Sequence, residues 1–375
     1  MKAMGKSSSA PAQSVSRSSP GTAPKPMRTS SSTAADLDTT RWAVVIPSFN
    51  HAEDAIACLA SLREADRRPA RVVLVDDAST EDAVGSIAAW AARSGVPHDI
   101  IDPAQLENRN DESGRSSIRA IEAHGPATRG NPEAWLTIFA SQTNSGFSVS
   151  CNTGLRYVRD HTAAPFALLL NNDAAVSRSY FTDLAAGIEK IPNVGLATGT
   201  IYEWDQHTVW YAGGRFNPLR AVAEHHLDVP SDGQPRSTGF ICGCTMLISR
   251  AALETVGLLP ECYSPCYCED ADYSLKMDKA GFSLVYVPRA RAFHRVSSSL
   301  GRTVRSPRVI YWFNRNRGYA MRRNYSGWRR AAGIGYLAVT KPARAIWEVL
   351  RGRPRSGAAF ISGTLAGFFN PIARD

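Results

Sequence analysis

A chain of 375 residues, 43% hydrophobic and 21% charged, carries enough apolar material for one large domain or two ordinary ones, which excludes a wholly disordered protein. Its net charge of +9 is uneven: Met1–Thr40 carries +3, Arg41–Val285 carries −10, Tyr286–Arg355 carries +16, and the last twenty residues cancel. A basic block behind an acidic body is not the pattern of a uniformly basic nucleic-acid domain. Seven cysteines at these spacings make no disulfide framework, and Met1–Arg17 has no apolar stretch of the signal-peptide kind. No run of about 18 uncharged apolar residues is present, so the expected setting is a reducing cytoplasm without a membrane span. Cys262, Cys266 and Cys268 cluster, but no second pair stands at zinc-site spacing, so they read as structural or incidental.

Residues 1–40 are rich in Ser, Ala, Pro and Thr and read as a disordered extension, because they cannot bury enough surface to offset ordering. Order is expected from Arg41. Trp42-Ala-Val-Val-Ile46, ending at Pro47, reads as a buried parallel strand. Asn50 is placed to cap a helix in which Ala55, Ile56, Leu59 and Leu62 recur at helical spacing. A second buried strand, Val72–Val75, closes on Asp76-Asp77-Ala-Ser-Thr80, and a helix follows from about Glu81 to Arg93. Strand, helix and strand with short loops make a βαβ unit, hence an α/β fold with a mainly parallel sheet. Residues from about 103 to 134 are polar, with little periodicity, and read as a surface insertion. Phe166–Leu170 is the next buried strand and ends in Asn171-Asn172-Asp173; Thr245–Ile248 and Leu284–Val287 are later strands.

Open α/β sheets bind ligands beyond the carboxyl ends of their strands. Two polar clusters, Asp76-Asp77 and Asn172-Asp173, stand there beside the Pro47-Ser48-Phe49-Asn50 turn. Carboxylates in such places suit a nucleotide's base and ribose hydroxyls, or hold Mg²⁺ or Mn²⁺ through oxygen. Each also has an ordinary structural reading: Asp77 as a turn residue, and the Glu269-Asp270-Ala271-Asp272 run as the acidic first turn of a helix. His294, after the Val285–Pro288 strand, reads alone as a half-buried histidine.

The runs VVIPSFN, VVLVDDAST, NSGFSVSCNTGL, FALLLNNDA, FICGCTMLISRAALETVGLL, EDADYSLKMDKAGF and VYVPRARAFH occur in that order. As an ordered set they resemble the family 2 inverting glycosyltransferases of the GT-A fold, particularly bacterial rhamnosyltransferase-like members that build cell-surface polysaccharide. The resemblance runs from about Trp42 to Gly301 and implies a glycosyltransferase domain over 41–300 and a basic helical region over 301–375. It implies that Pro47, Ser48 and Asn50 line the nucleotide pocket, that Asp76 reads the base with Asp77 close by, and that Asn144, Gly146 and Asn152 shape the diphosphate side. It also implies Asn172 as a ribose or sugar contact, Asp173 and His294 as ligands of a divalent cation, and Asp270 as catalytic base. Glu269 becomes its acceptor-side neighbour, and Gly243 a point where backbone closely approaches donor or acceptor. The Pro260–Cys268 run departs from the family pattern on the acceptor side.

In the C-terminal block, Arg322-Arg323 and Arg329-Arg330 are interleaved with Trp312, Tyr319, Tyr325 and Trp328. Arginine with aromatics suits nucleic acid, an anionic bilayer surface, or a solvated face with no partner. Behind a sugar-transfer site the membrane is favoured over nucleic acid, with residues 358–369 too short to span and suited to interfacial docking. The expected reaction moves a sugar from a nucleoside-diphosphate donor, dTDP-rhamnose favoured, to a lipid-linked or polysaccharide acceptor at the cytoplasmic membrane face. UDP-galactofuranose is the second donor, since the EDADY run with a histidine 24 residues beyond Asp270 also resembles bacterial galactofuranosyltransferases. The rivals are a nucleotidyltransferase and a nucleic-acid- or membrane-binding module with a vestigial site.

Overall fold

The computed structural model describes residues 35–102, 106–110, 116–120, 133–295 and 306–373. Most of the N-terminal extension therefore lies outside the described residues, as does much of the 103–134 insertion. The last few residues of the extension are nonetheless packed. Trp42 Nε1 donates to the Asp36 carbonyl at 2.7 Å, and Arg41 reaches the Ala35 carbonyl at 2.9 Å, so order begins before Arg41.

The first half alternates as expected. β1 (Ala43–Ser48), α1 (Ala52–Glu64), β2 (Arg71–Asp76), α2 (Ala83–Arg93) and β3 (His98–Ile101) come in turn. Within the insertion, β4 (Leu106–Asn110) and β5 (Ser116–Ala120) pair antiparallel as a hairpin, Leu106 opposite Ala120. Then come β6 (Leu136–Ala140), α3 (Phe147–His161), β7 (Phe166–Leu170), β8 (Ala174–Val176), α4 (Tyr180–Ile188) and β9 (Val194–Glu203). Short strands β10 (Val209–Tyr211), β11 (Gly214–Asn217), β12 (Val222–His225) and β13 (Arg236–Ser237) lead to β14 (Thr245–Ser249) and α5 (Arg250–Val256). α6 (Glu269–Lys279) and β15 (Ser283–His294) follow, and then the helices α7 (Pro307–Asn324), α8 (Gly327–Leu350) and α9 (Pro354–Phe369).

The main sheet runs β13-β15-β9-β14-β7-β1-β2-β6-β3, with β10 on β9 and β8 on β15. Its centre is parallel: Ser48 of β1 stands opposite Asp76 of β2, and Val45 opposite Leu169 of β7. β14 enters antiparallel between β7 and β9, which makes the sheet mixed. The continuous apolar runs are explained by burial on both faces. Val44 and Ile46 of β1 pack with Leu59, Leu62 and Leu74 on one side, while Val45 joins Val73, Leu155 and Leu169 on the other. The carboxyl ends of β1, β2 and β7 consequently share one edge, and their terminal polar residues are gathered there.

The C-terminal helices form a layer against this body. α9 lies close on α7, where a Cβ at Gly318 would stand 2.7 Å from the Gly367 backbone. α7 is fastened through its polar side chains: Arg317 Nε donates to the Ala221 carbonyl at 2.7 Å, and Arg323 Nε to Asp272 at 2.7 Å. Several arginines of the basic block thus hold the fold together.

Candidate functional site

A cleft of about 590 Å³ opens at the carboxyl edge of the sheet. Its lining includes Pro47 and Ser48 from β1, Asp77, Asn144 and Gly146 from the loops after β2 and β6, and Asn172 and Asp173 after β7. His294, the last residue of β15, completes that side. Residues 246 positions apart in the chain are therefore neighbours because three parallel strands end together and β15 folds back along β8.

His294 Nε2 lies 3.1 Å from Asp173 Oδ1, and both side chains are buried. The register places His294 opposite Ala174, and the Arg295 amide donates to the Asp173 carbonyl at 2.9 Å, so backbone and side chains fix the pair. Trp210 abuts the imidazole edge-on at 4.9 Å between ring centroids, while Nδ1 is buried without a hydrogen-bond partner. A carboxylate oxygen beside an imidazole nitrogen at the floor of a cleft suits Mg²⁺ or Mn²⁺, with the remaining positions left to ligand oxygens. Among the described residues no third His, Cys, Asp or Glu joins them. Asn172 reaches Ser48 Oγ at 3.3 Å and the Asn50 carbonyl at 3.4 Å, which ties the β7 end to the β1 end.

At the opposite wall, the Asp77 carboxylate accepts from the amides of Ser145 and Gly146, each at 2.8 Å. Burial pushes its pKa up, partly offset by those two amides. Gly146 is required here: its φ is +91°, and a Cβ would stand 2.6 Å from the Pro265 backbone. The Phe147 amide donates to the Pro265 carbonyl at 2.8 Å, so the loop before α3 is locked to the loop before α6.

Asp76, Asn50, Asn152 and Gly243 are not among the residues that line the cleft. The Asp76 carboxylate is turned onto Ser79, whose amide it accepts at 3.1 Å, while Asp77 faces the cleft. Asn50 does not cap α1. With φ at 57° its side chain swings to the neighbouring loop and accepts from the Thr80 amide at 2.8 Å, and His51 takes the N-cap position without a side-chain capping bond. Asn152 is buried in α3, donating to the Leu259 carbonyl at 2.9 Å and to Glu261 at 2.8 Å, away from the cleft. Gly243 approaches protein atoms: its amide donates to Asp270 Oδ2 at 3.1 Å, and a Cβ would meet the Phe147 ring at 3.2 Å.

Asp270 stands at the start of α6, its carboxylate held by the Gly243 amide and by the Ala271 amide at 2.8 Å. Burial raises its pKa, against the lowering effect of those amides. Glu269 is buried, with Oε2 unpartnered, and burial together with the Asp270 charge holds its carboxyl well above the usual range. Neither Asp270 nor Glu269 is among the cleft-lining residues; Asp270 lies beside Gly243, which is also next to the lining residue Phe147.

Sequence reasoning missed part of the wall. Phe147, Trp210, Tyr267 and Trp312 all line the cleft. Phe147 lies inside the NSGF run and Tyr267 inside the divergent run before α6, so both had a signal. Trp312 belongs to α7, within the basic block, and Trp210 carries no local signal. Asn316 organises this wall, its Nδ2 lying 2.7, 2.8 and 3.0 Å from the carbonyls of Tyr263, Cys266 and Tyr267.

The sequence model of the glycosyltransferase-like family 2 matches residues 40–308. The chain belongs to that family. The mixed sheet with flanking helices is the GT-A fold. Over 115 residues this family 2 chain is 33% identical to N-acetylglucosaminyl-diphospho-decaprenol L-rhamnosyltransferase of Mycobacterium tuberculosis, covering 31% of the chain and 36% of that relative. Among solved structures, GalNAc-T7 with UDP, GalNAc and Mn²⁺ aligns at a TM-score of 0.52 and 14% identity, over 75% of this chain and 47% of that one. A mannosyltransferase of Pyrobaculum calidifontis in complex with GDP-Man and Mn²⁺ aligns at 0.48 and 16% identity, over 88% and 87% of the two chains.

Proposed function

We propose that this family 2 enzyme is an inverting rhamnosyltransferase that moves a sugar from a nucleoside-diphosphate donor, dTDP-rhamnose, to a lipid-linked acceptor. The carrying observation is the convergence of Asp173, His294, Asn172 and Asp77 in one cleft at the carboxyl edge of the sheet. The rhamnosyltransferase named above supports rhamnose as the sugar and, through the decaprenol-linked substrate in its name, the acceptor class. A lipid-linked acceptor sets the reaction at the cytoplasmic membrane face, with the enzyme peripheral to it.

In this reading Pro47, Ser48 and Asp77 hold the nucleoside, and Asn172 holds ribose or sugar. Asp173 and His294 would hold Mg²⁺ or Mn²⁺, an ion also present in the GalNAc-T7 structure of the same fold. Such an ion supplies charge neutralisation for a departing diphosphate. Asp270 takes the proton of the acceptor hydroxyl as its oxygen attacks the anomeric carbon from the face opposite the leaving group. The bond to the diphosphate oxygen breaks with its electron pair leaving on the nucleoside diphosphate, so one displacement inverts the centre. Asp270 suits this role because Gly243 and Ala271 fix its orientation while burial raises its basicity. Glu269 is its neighbour on the acceptor side.

A melting-temperature screen of nucleotide sugars with Mn²⁺ tests the reading. dTDP-rhamnose should stabilise the enzyme more than UDP-galactofuranose, UDP-GlcNAc or dTDP alone. Selective stabilisation by UDP-galactofuranose would replace the donor, and turnover of a nucleoside triphosphate with pyrophosphate release would replace the reaction.

A further inference from the structure

We propose that the outward face of α8, continued by α9, is a docking surface for an anionic lipid bilayer. This deepens the peripheral-membrane reading above and rests on it for direction. α8 has 24 residues, about 36 Å at 1.5 Å per residue. Its inner face, with Gly333, Leu337, Ala345 and Glu348, is buried. A helix on the surface of a globular body ordinarily turns its polar side outward; α8 does the reverse. Trp328, Val339, Ile346 and Leu350 are 69, 74, 62 and 81% exposed. They follow one another at intervals of 11, 7 and 4 residues, that is three, two and one helical turns, so they form a single stripe. Every exposed residue of α8 other than Arg329, Arg330 and Arg344 is apolar or glycine. On α9, Leu365 and Phe369 are exposed four residues apart.

Charge selects the occupant. Residues 327–369 hold seven Lys/Arg against one Glu, a net +6, and two copies of this face would bring like charge onto like. Residues 1–34 offer only Val15 and three methionines as large apolar side chains, too little to match the stripe. An anionic bilayer answers both requirements, with apolar side chains entering the acyl boundary and arginines meeting lipid phosphates. No helix among the described residues is long and apolar enough to cross a membrane, so the helix lies on the surface.

The test uses the full chain with vesicles of phosphatidylglycerol and phosphatidylcholine in equal parts, and with phosphatidylcholine alone. Co-sedimentation with the anionic vesicles is expected, weakening as salt rises. The double substitution Val339→Glu with Ile346→Glu should lower the bound fraction about tenfold, while the melting temperature and its rise with donor stay unchanged. Trp328 gives a readout that needs no disruptive variant: brominated phosphatidylcholine should quench the wild type more than Trp328→Phe. Failure to sediment, undiminished binding by the double variant, or equal quenching would each overturn the proposal. So would a dimer that the same double variant dissociates, since a second copy would then cover the face. Donor stabilisation is measured separately, so loss of the transferase reading and loss of the docking surface are distinguishable.

Discussion

Arg323 Nε donates to Asp272 Oδ2 at 2.7 Å, joining the end of α7 to α6 at a carboxylate that is almost fully buried. The same carboxylate accepts from the Tyr263 hydroxyl at 2.8 Å and from Asn324 Nδ2 at 2.9 Å. The second aspartate of the EDAD run is therefore a structural anchor, two residues from the proposed base. Asp272→Ala leaves the buried Tyr263 hydroxyl without its acceptor and should cost about 1–3 kcal/mol of stability, read from urea unfolding. Asp272→Asn should recover part of that loss, since an amide oxygen still accepts from Tyr263.

Asn316 is buried and lies within hydrogen-bond distance of three carbonyls of the loop that carries Tyr267 into the cleft. Asn316→Ala leaves the Cys266 and Tyr267 carbonyls without this donor, while Tyr263 keeps Arg315, at about 1–3 kcal/mol for each carbonyl left unsatisfied. The acceptor KM should rise at least several-fold, while donor binding, which rests on the strand-end residues, changes less. Steady-state kinetics with each substrate varied in turn checks the split.

Asp173→Asn and His294→Ala each alter one of the two touching side chains proposed to hold the cation. Both should weaken Mn²⁺-dependent donor binding at least tenfold, about 1.4 kcal/mol or more. Titration of donor with and without Mn²⁺ measures this; equal affinities for variant and wild type would count against the metal role.

Asp270→Asn should keep donor affinity and reduce transfer by about 10²–10⁴-fold, the usual worth of a positioned base. Because burial raises the Asp270 pKa, the acid limb of the kcat/KM profile should lie above the ordinary carboxylate value of about 3.9. A pH–rate series on the wild type locates it.

Glu269 gives a stability signature of definite sign. Its folded-state pKa is raised by burial and by the Asp270 charge. As pH climbs from the unfolded value of about 4.3 towards the folded value, the unfolded chain sheds its proton first, so the folded state loses stability. Glu269→Gln removes that loss, at about 1.4 kcal/mol per unit of pKa displacement. The variant should melt higher than wild type at neutral pH, with the difference closing near pH 4 (roughly the unfolded value).

Much of the fold was legible because buried parallel strands need continuous apolar runs, and Trp42–Ile46, Val72–Val75 and Phe166–Leu170 are such runs. The polar residues closing them are legible for the same reason: the chain leaves the core where the strand ends, and the site lies at that edge. Asp173, Asn172 and Asp77 were found this way. Asp76 and Asp77 could not be told apart from sequence, since the φ and ψ of one turn decide which carboxylate faces the cleft and which folds onto Ser79.

The +16 segment separates the two levels most clearly. By itself the sequence determined that positive charge and aromatics accumulate after the body, and that such a block suits phosphate, lipid or plain solvent. Only the tertiary structure decided how the block is divided. α7 spends Arg315, Arg317 and Arg323 on carbonyls and a carboxylate of the body, and puts Trp312 into the cleft. α8 turns an uncharged stripe outward instead. Composition counts charges; burial and hydrogen-bond partners, which depend on residues 50 to 100 positions away, determine which of them remain available to a ligand or a surface.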